Sequence, residues 1–321
     1  MARENFADRL FRKVKEKGTP LVVGLDPRLE LIPEVITRRF IEEHGRTLRS
    51  AVDSVALFCC DVIDCVAPLV AAIKPQLAFF ELLGPSGMQV FFDICRYAHE
   101  KGLLVIADAK RGDIETTASA YARGFLGEVE IFGKAYPIWD VDAITINPYL
   151  GSDSVKPFLQ EAAERGKGIF VVVKTSNPGG AEIQDLQVNG EPLFLRVGRL
   201  VKEWGRGMIG ESGFSSVGAV VGATYPQEMA SLRRLLPESP FLIPGLGFQG
   251  ATSRDISCAF NRQGLGGLVA AARSIIFAHC EEPWKDKFPP EHWTEAVMAS
   301  THHTIGEIRR ALAEPNREVV F

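Results

Sequence analysis

The chain has 321 residues, 46% hydrophobic and 24% charged, the balance of an ordinary globular protein. Its 36 Lys and Arg against 40 Asp and Glu leave a net charge of -4, which argues against a nucleic-acid groove or a membrane-binding face. That length fits two average domains, yet α/β barrels commonly reach it as one.

Six cysteines (Cys59, Cys60, Cys65, Cys95, Cys258, Cys280) lack metal-ligand spacing and fall mostly in apolar helical contexts. They read as reduced thiols of a cytoplasmic protein. The opening Met1-Ala2-Arg3-Glu4-Asn5 has no apolar run behind it, so no signal peptide is expected. No apolar run reaches the roughly 18 residues that would predict a membrane span.

Taken in chain order, short runs rich in Val and Ile predict strands at Leu21–Asp26, Val70–Lys74, Leu103–Asp108, Ala143–Asn147, Gly168–Lys174, Val217–Gly222, Phe241–Pro244 and Gly267–Ala271. Segments of helical period lie between them, including Ser86–Lys101, Glu115–Leu126, Ser154–Arg165 and Pro226–Leu236. Strands that are apolar throughout and alternate with helices indicate a parallel sheet covered on both faces. The fold expected is a single (β/α)8 barrel domain over residues 1–321. A doubly wound sheet is the alternative, but Gly24-Leu25-Asp26-Pro27-Arg28 after the first strand carries no dinucleotide fingerprint. Extra length falls in residues 27–50, in a polar loop over 177–196, and in a Trp- and Pro-rich segment over 281–299 before a last helix near 300–313.

The third strand carries the strongest chemical signal. It runs apolar from Leu103 and meets Asp108, Lys110 and Asp113. Strand alternation places Asp108 and Lys110 on one face. Burying such a pair is poor evidence for stability and better evidence for chemistry. Active sites of barrels lie at the C-terminal ends of their strands. Those ends hold Asp26, Lys74, Asp108 with Lys110, Asn147, Lys174 to Asn177, Thr224, Pro244 to Gln249, and Arg273. Any one could be a solvated loop residue; their recurrence around the ring carries the weight.

An anion site is expected at the last two strands. The Gly-rich loop Ile243-Pro244-Gly245-Leu246-Gly247-Phe248-Gln249-Gly250 precedes a helix expected from Ala251, and Arg273-Ser274-Ile275 opens a short helix after the eighth strand. Loops after strands seven and eight often bind phosphate through backbone N–H groups, and an Arg adds a planar fork of donors. The plain alternative is a tight turn with Arg273 paired to a surface carboxylate.

With these pieces in order the chain resembles the orotidine 5'-phosphate decarboxylase family, in its longer branch. The resemblance rests on Gly24-Leu25-Asp26-Pro27, Ile73-Lys74, Asp108-Ala109-Lys110-Arg111-Gly112-Asp113-Ile114 with Thr117, Thr145-Ile146-Asn147-Pro148-Tyr149, Thr175-Ser176-Asn177-Pro178-Gly179, Pro244 to Gly250, and Ala272-Arg273-Ser274. It implies decarboxylation of orotidine 5'-phosphate to UMP and CO2, the last step of de novo UMP biosynthesis, without a cofactor or metal. It further implies a charged array of Lys74, Asp108, Lys110 and Asp113, the last reaching the neighbouring site of a homodimer beside Ile114 and Thr117. Asp26 and Lys74 would hold the ribose hydroxyls and Ser176 the pyrimidine ring. Gln249 and Arg273 would grip the phosphate under the closing Pro244–Gln249 loop. The chain departs from the pattern at Ala272, where glycine is common, and at Glu115, where proline is common.

Within this reading Lys110 donates the proton to C6 while Asp108 faces the leaving carboxylate. One rival is a related barrel sugar-phosphate decarboxylase or aldol-type synthase, which holds Mg2+ on carboxylates and would want an acid where Lys74 stands. Another is a non-catalytic phosphate-ligand barrel, for which the four-residue array would be superfluous. The histidines, including His302-His303, read as surface or helix residues.

Overall fold

The structure, a computed structural model, describes residues 3–245 and 255–313. Eight parallel strands close into one barrel: β1 (Leu21–Leu25), β2 (Ala72–Pro75), β3 (Leu104–Arg111), β4 (Ala143–Ile146), β5 (Gly168–Lys174), β6 (Val217–Val221), β7 (Phe241–Pro244) and β8 (Gly267–Ala271). Each follows its neighbour in sequence around the ring, and β1 pairs with β8 to close it. All eight expected strands are present, with ends displaced by three residues or fewer. The single-barrel expectation therefore holds, and the doubly wound alternative does not.

Apolar side chains divide between two cores because the barrel wall has two faces. One core lies between the strands and helices such as Leu48–Val66, Gly84–Glu100 and Trp293–Ala313. The other fills the barrel interior with Val22, Ala72, Leu104, Ile106, Phe170 and Leu242. Helix Phe6–Lys17, which the sequence reading did not include, belongs to this second core. Asn5 caps its start by accepting the Ala7 N–H at 2.8 Å, and Gly18 ends it at φ 63°. Its Phe6, Leu10, Phe11 and Val14 are buried against the floor of the barrel. Gly168 permits this, since a Cβ there would lie 2.2 Å from the Phe6 ring. The barrel interior is thus plugged with hydrocarbon from below, which leaves the C-terminal mouth as its open end.

The expected extra segments are more ordered than their composition implied. Residues 27–50 contain a short 3-10 turn, Leu29–Leu31, and helix Glu34–His44 before the long helix starts at Leu48. Residues 177–196 are not one loop: they hold the helical turn Ala181–Gln184, a hairpin of Gln187–Val188 with Glu191–Pro192, and the start of helix Leu193–Gly205. The last helix begins at Trp293, inside the segment read as a connection, because Trp293, Ala296 and Val297 are buried and extend its apolar face by two turns. A second hairpin, Val129–Ile131 with Lys134–Tyr136, was likewise not foreseen.

Candidate active site

Strand β3 delivers Asp108 and Lys110 to the mouth, but not by regular alternation. Its register against β4 breaks between Ala107 and Arg111, and Lys110 sits at φ 47°. A left-handed lysine costs on the order of 1–2 kcal/mol, so neighbouring structure must hold it. Thr145, fully buried on β4, does so with one hydroxyl. Its oxygen accepts the N–H of Ala109 at 3.0 Å and of Lys110 at 2.9 Å, and its proton goes to Asp108 Oδ1 at 3.0 Å. The hydroxyl's full hydrogen-bonding capacity is spent on shaping this corner.

Asp108 is the hub. Oδ2 accepts Lys74 Nζ at 2.7 Å and Gln76 Nε2 at 3.1 Å, while Oδ1 accepts Lys110 Nζ at 2.6 Å in addition to Thr145. Burial alone would raise the pKa of this carboxyl; the charges of Lys74 and Lys110 and their hydrogen bonds outweigh it and hold the group well below the usual carboxylate range. Lys74 is treated the same way in reverse. Its burial opposes the charge, yet Asp108 and Asp26 keep the ammonium favoured and its pKa above the ordinary value.

The two lysines differ in access. Lys74 is buried at 8% side-chain exposure, whereas Lys110 stands 47% exposed at the mouth, with its charged head available to a ligand.

Asp26 ends β1 on the same rim. Its Oδ1 is buried without a hydrogen-bond partner among the described residues, and burial pushes its pKa up against the opposing pull of Lys74. A buried carboxylate oxygen without a partner is costly, and a hydroxyl donor placed against it relieves that cost. The rim approaches closely at this point: a Cβ on Gly24 would fall 2.6 Å from that of Ala272. Ala272, where the resemblance implies glycine, is therefore accommodated by glycine on the adjacent strand.

Of the other expected residues, those that are described follow the C-terminal ends of their strands. Asp113 is half-buried, makes no ion pair with a described residue, and accepts only the N–H of Ile114, at 2.8 Å. Ile114 and Thr117 beside it are exposed, and Asp113 does not join the Asp108 hub of its own chain. Glu115 follows at φ 45°, a value closed to proline, so this turn differs in backbone from one with proline there. Ser176 follows β5, and its carbonyl accepts the Thr224 hydroxyl at 3.4 Å. Pro244 ends β7, and Gly245 after it takes φ 100°. Gln249, the loop from Leu246 and the helix start at Ala251 lie outside the described residues.

Arg273 opens the expected short helix, Arg273–Ile276, and its Nε donates to Glu281 at 3.0 Å. The Glu281 bond uses one N–H of a guanidinium that carries five.

Sequence reasoning gave no role to two members of the hub. Gln76 stands two residues past Lys74, so the alternation used for Asp108 and Lys110 would have found it. Thr145 was a polar residue inside an apolar strand, a signal of its own. Arg111, also unassigned, pairs with Glu81, donates to the Ala109 carbonyl at 3.2 Å and lies over the Tyr121 ring at 5.5 Å. Among the described residues no group of three His, Cys, Asp or Glu is assembled to hold a metal. No helix among them is long and apolar enough to cross a membrane.

With this geometry in view, the likeness to known proteins is close. The model of the orotidine 5'-phosphate decarboxylase / HUMPS family matches residues 19–282. The orotidine 5'-phosphate decarboxylase of Rhodopirellula baltica is 42% identical over 92% of this chain and 96% of its own length. That of Deinococcus radiodurans is 42% identical over 85% of this chain and 89% of its own. This chain belongs to the orotidine 5'-phosphate decarboxylase / HUMPS family. The structure of Leishmania donovani OMP decarboxylase superposes with a TM-score of 0.71 at 29% identity, covering 98% of this chain and all of that one. Membership, and the fold with it, extends over nearly the whole chain.

Proposed function

We propose that this chain decarboxylates orotidine 5'-phosphate to UMP and CO2, completing de novo UMP synthesis in the cytoplasm. The observation that carries the reading is the Lys74 ammonium seated on Asp108 Oδ2 at 2.7 Å, with Lys110 on the other oxygen. A family member that holds Mg2+ against an enediolate needs an acid at that place, whereas a cation there competes with the metal for the same carboxylate. A non-catalytic barrel gains nothing from two lysines and a carboxylate packed this way.

In the reaction the bond from C6 to the carboxylate breaks, and its electron pair stays on C6 in an orbital the ring cannot delocalise. Lys110 lies beside that carbon, stabilises the developing charge, and passes its Nζ proton to C6. Asp108 keeps Lys110 oriented and faces the departing carboxylate. Asp26 and Lys74 take the ribose hydroxyls, a role that matches the unpaired Oδ1 of Asp26. Ser176 meets the ring, and Arg273 grips the phosphate, whose binding energy orients the ring from a distance. Asp113, with Ile114 and Thr117 exposed beside it, serves the site of a second protomer in a homodimer.

The test is direct: loss of orotidine 5'-phosphate absorbance on adding the protein, unaffected by EDTA. Turnover that EDTA abolishes would favour the metal-dependent reading. For the dimer, mixing inactive Lys110→Ala and Asp113→Ala protomers restores activity in the hybrid site; verified mixed dimers without recovery would place the whole site in one chain.

A further inference from the structure

The excursion between β5 and helix Leu193–Gly205 reaches back to the strand end that carries Ser176. Thr175 is gripped twice by Gln184: its N–H donates to Gln184 Oε1 at 2.9 Å, and its hydroxyl accepts from Gln184 Nε2 at 2.8 Å. The next residue, Asp185, pairs with Lys174, whose side chain is 1% exposed. That ammonium also lies 4.7 Å from the Tyr225 ring centroid and 5.2 Å from that of Phe194. A charge buried this deeply is kept only where its partner and surroundings are fixed.

On the opposite side Gly222 and Thr224, just past β6, hold the same corner. A Cβ on Gly222 would lie 2.7 Å from the Ser176 nitrogen, and the Thr224 hydroxyl reaches the Ser176 carbonyl. The Thr175–Ser176 peptide is thereby clamped between β6 and the excursion. Gly180 tightens the clamp, since a Cβ there would fall 2.7 Å from Thr175 Oγ1.

We propose that Gln184 is a positioning residue for the pyrimidine end of the substrate, and that the Lys174–Asp185 pair anchors it. It touches Thr175 and acts through Ser176 without meeting the ligand itself. The inference rests on the decarboxylase reading, in which Ser176 meets the ring. Its consequence is selective: loosening the clamp weakens recognition of the ring and leaves recognition of the ribose phosphate intact.

The experiment compares UMP, which has the ring, with ribose 5-phosphate, which lacks it. In Gln184→Ala, UMP binds about tenfold more weakly, the scale of losing one or two hydrogen bonds. KM for orotidine 5'-phosphate rises by a similar factor, with a smaller change in kcat, and ribose 5-phosphate binds as before. Gln184→Glu restores UMP affinity, because a carboxylate still accepts the Thr175 N–H and the Thr175 hydroxyl can turn to donate to it. Should the alanine variant fail to fold, Gln184→Asn, too short to reach Thr175, replaces it. Equal weakening of UMP and ribose 5-phosphate, or no weakening of either, overturns the proposal. A wild-type chain that neither binds UMP nor turns over substrate sinks the decarboxylase reading itself, a failure visible before any variant is made.

Discussion

The barrel holds two nearly enclosed aspartates surrounded by cations, one at each end. At the mouth Asp108 meets Lys74 and Lys110. At the floor Asp142, just before β4, takes Arg9 on Oδ1 at 2.6 Å, and on Oδ2 His99 at 2.9 Å and the Val105 N–H at 2.9 Å. In both, burial pushes the carboxyl pKa up and the surrounding donors and cations pull it well below the usual range. A perturbed pKa therefore does not distinguish a site from a structural joint. The difference lies in the surroundings. The donors on Asp142 belong to the scaffold, tying helix Phe6–Lys17, helix Gly84–Glu100 and β3 together. The mouth instead has a half-exposed, left-handed lysine and, at Asp26, a buried carboxylate oxygen without a hydrogen-bond partner among the described residues.

Two substitutions break this comparison most sharply. Lys110→Ala removes the group proposed as proton donor together with its charge at the mouth, so on that proposal turnover falls by about four orders of magnitude or more while UMP still binds. Substantial turnover in that variant would end the assignment. Asp142→Asn has the reverse profile. It lowers stability by about 2–3 kcal/mol, below the full value for a broken buried pair because Arg9 and His99 are partly exposed, and leaves kcat/KM of the folded fraction unchanged. The pH dependence has a definite sign. Asp142 is depressed in the folded state, so its contribution is complete above the unfolded carboxyl value near ~3.9 and is lost as pH falls towards the folded one. Urea midpoints measured from pH 7 down to pH 3 will therefore decline less steeply in Asp142→Asn than in wild type.

How much of this was legible in the sequence follows from the range of the forces involved. The strands were readable because burial on both faces writes a continuous apolar run, and each strand end was marked by the polar residue where that run stops. Asp26, Lys74 and Asp108 could be found this way. The left-handed turn at Lys110 could not, because it depends on a hydroxyl from Thr145, 35 residues away in the chain. The first helix went unread, and its role as a floor plug depends on Phe170 and Gly168 across the barrel. The partnership of Gln184 with Thr175 was hidden in a segment whose Gly, Pro and polar content read as loop.

An intermediate effect tests whether the corner at Lys110 is held as described. Thr145→Val keeps the shape but leaves the N–H groups of Ala109 and Lys110 without their acceptor and deprives Asp108 of one donor. The expected loss is about 1–3 kcal/mol, the cost of unsatisfied buried groups, divided between stability and turnover. Thr145→Ser, which keeps the hydroxyl, recovers most of the turnover. A valine variant as active and as stable as wild type would mean that the turn is held by other contacts.

The smallest effect concerns Arg273. Its Nε bond to Glu281 joins groups 38% and 35% exposed, so solvent screens the pair and its worth is about 1 kcal/mol at most. Two effects compete: the Glu281 carboxylate orients the guanidinium, and its negative charge opposes an anion on it. Glu281 repels a phosphate held on the same arginine, as proposed, simply because the two negative charges are close, and the amide in Glu281→Gln still accepts the Nε–H. The variant should therefore bind UMP more tightly, by less than about fivefold, with uridine affinity unchanged and with the gain shrinking as salt is raised. Weaker UMP binding in Glu281→Gln would mean that the carboxylate's hold on Arg273 matters more than its charge, and the mouth would then contain a second ion pair built for function beside that of Asp108.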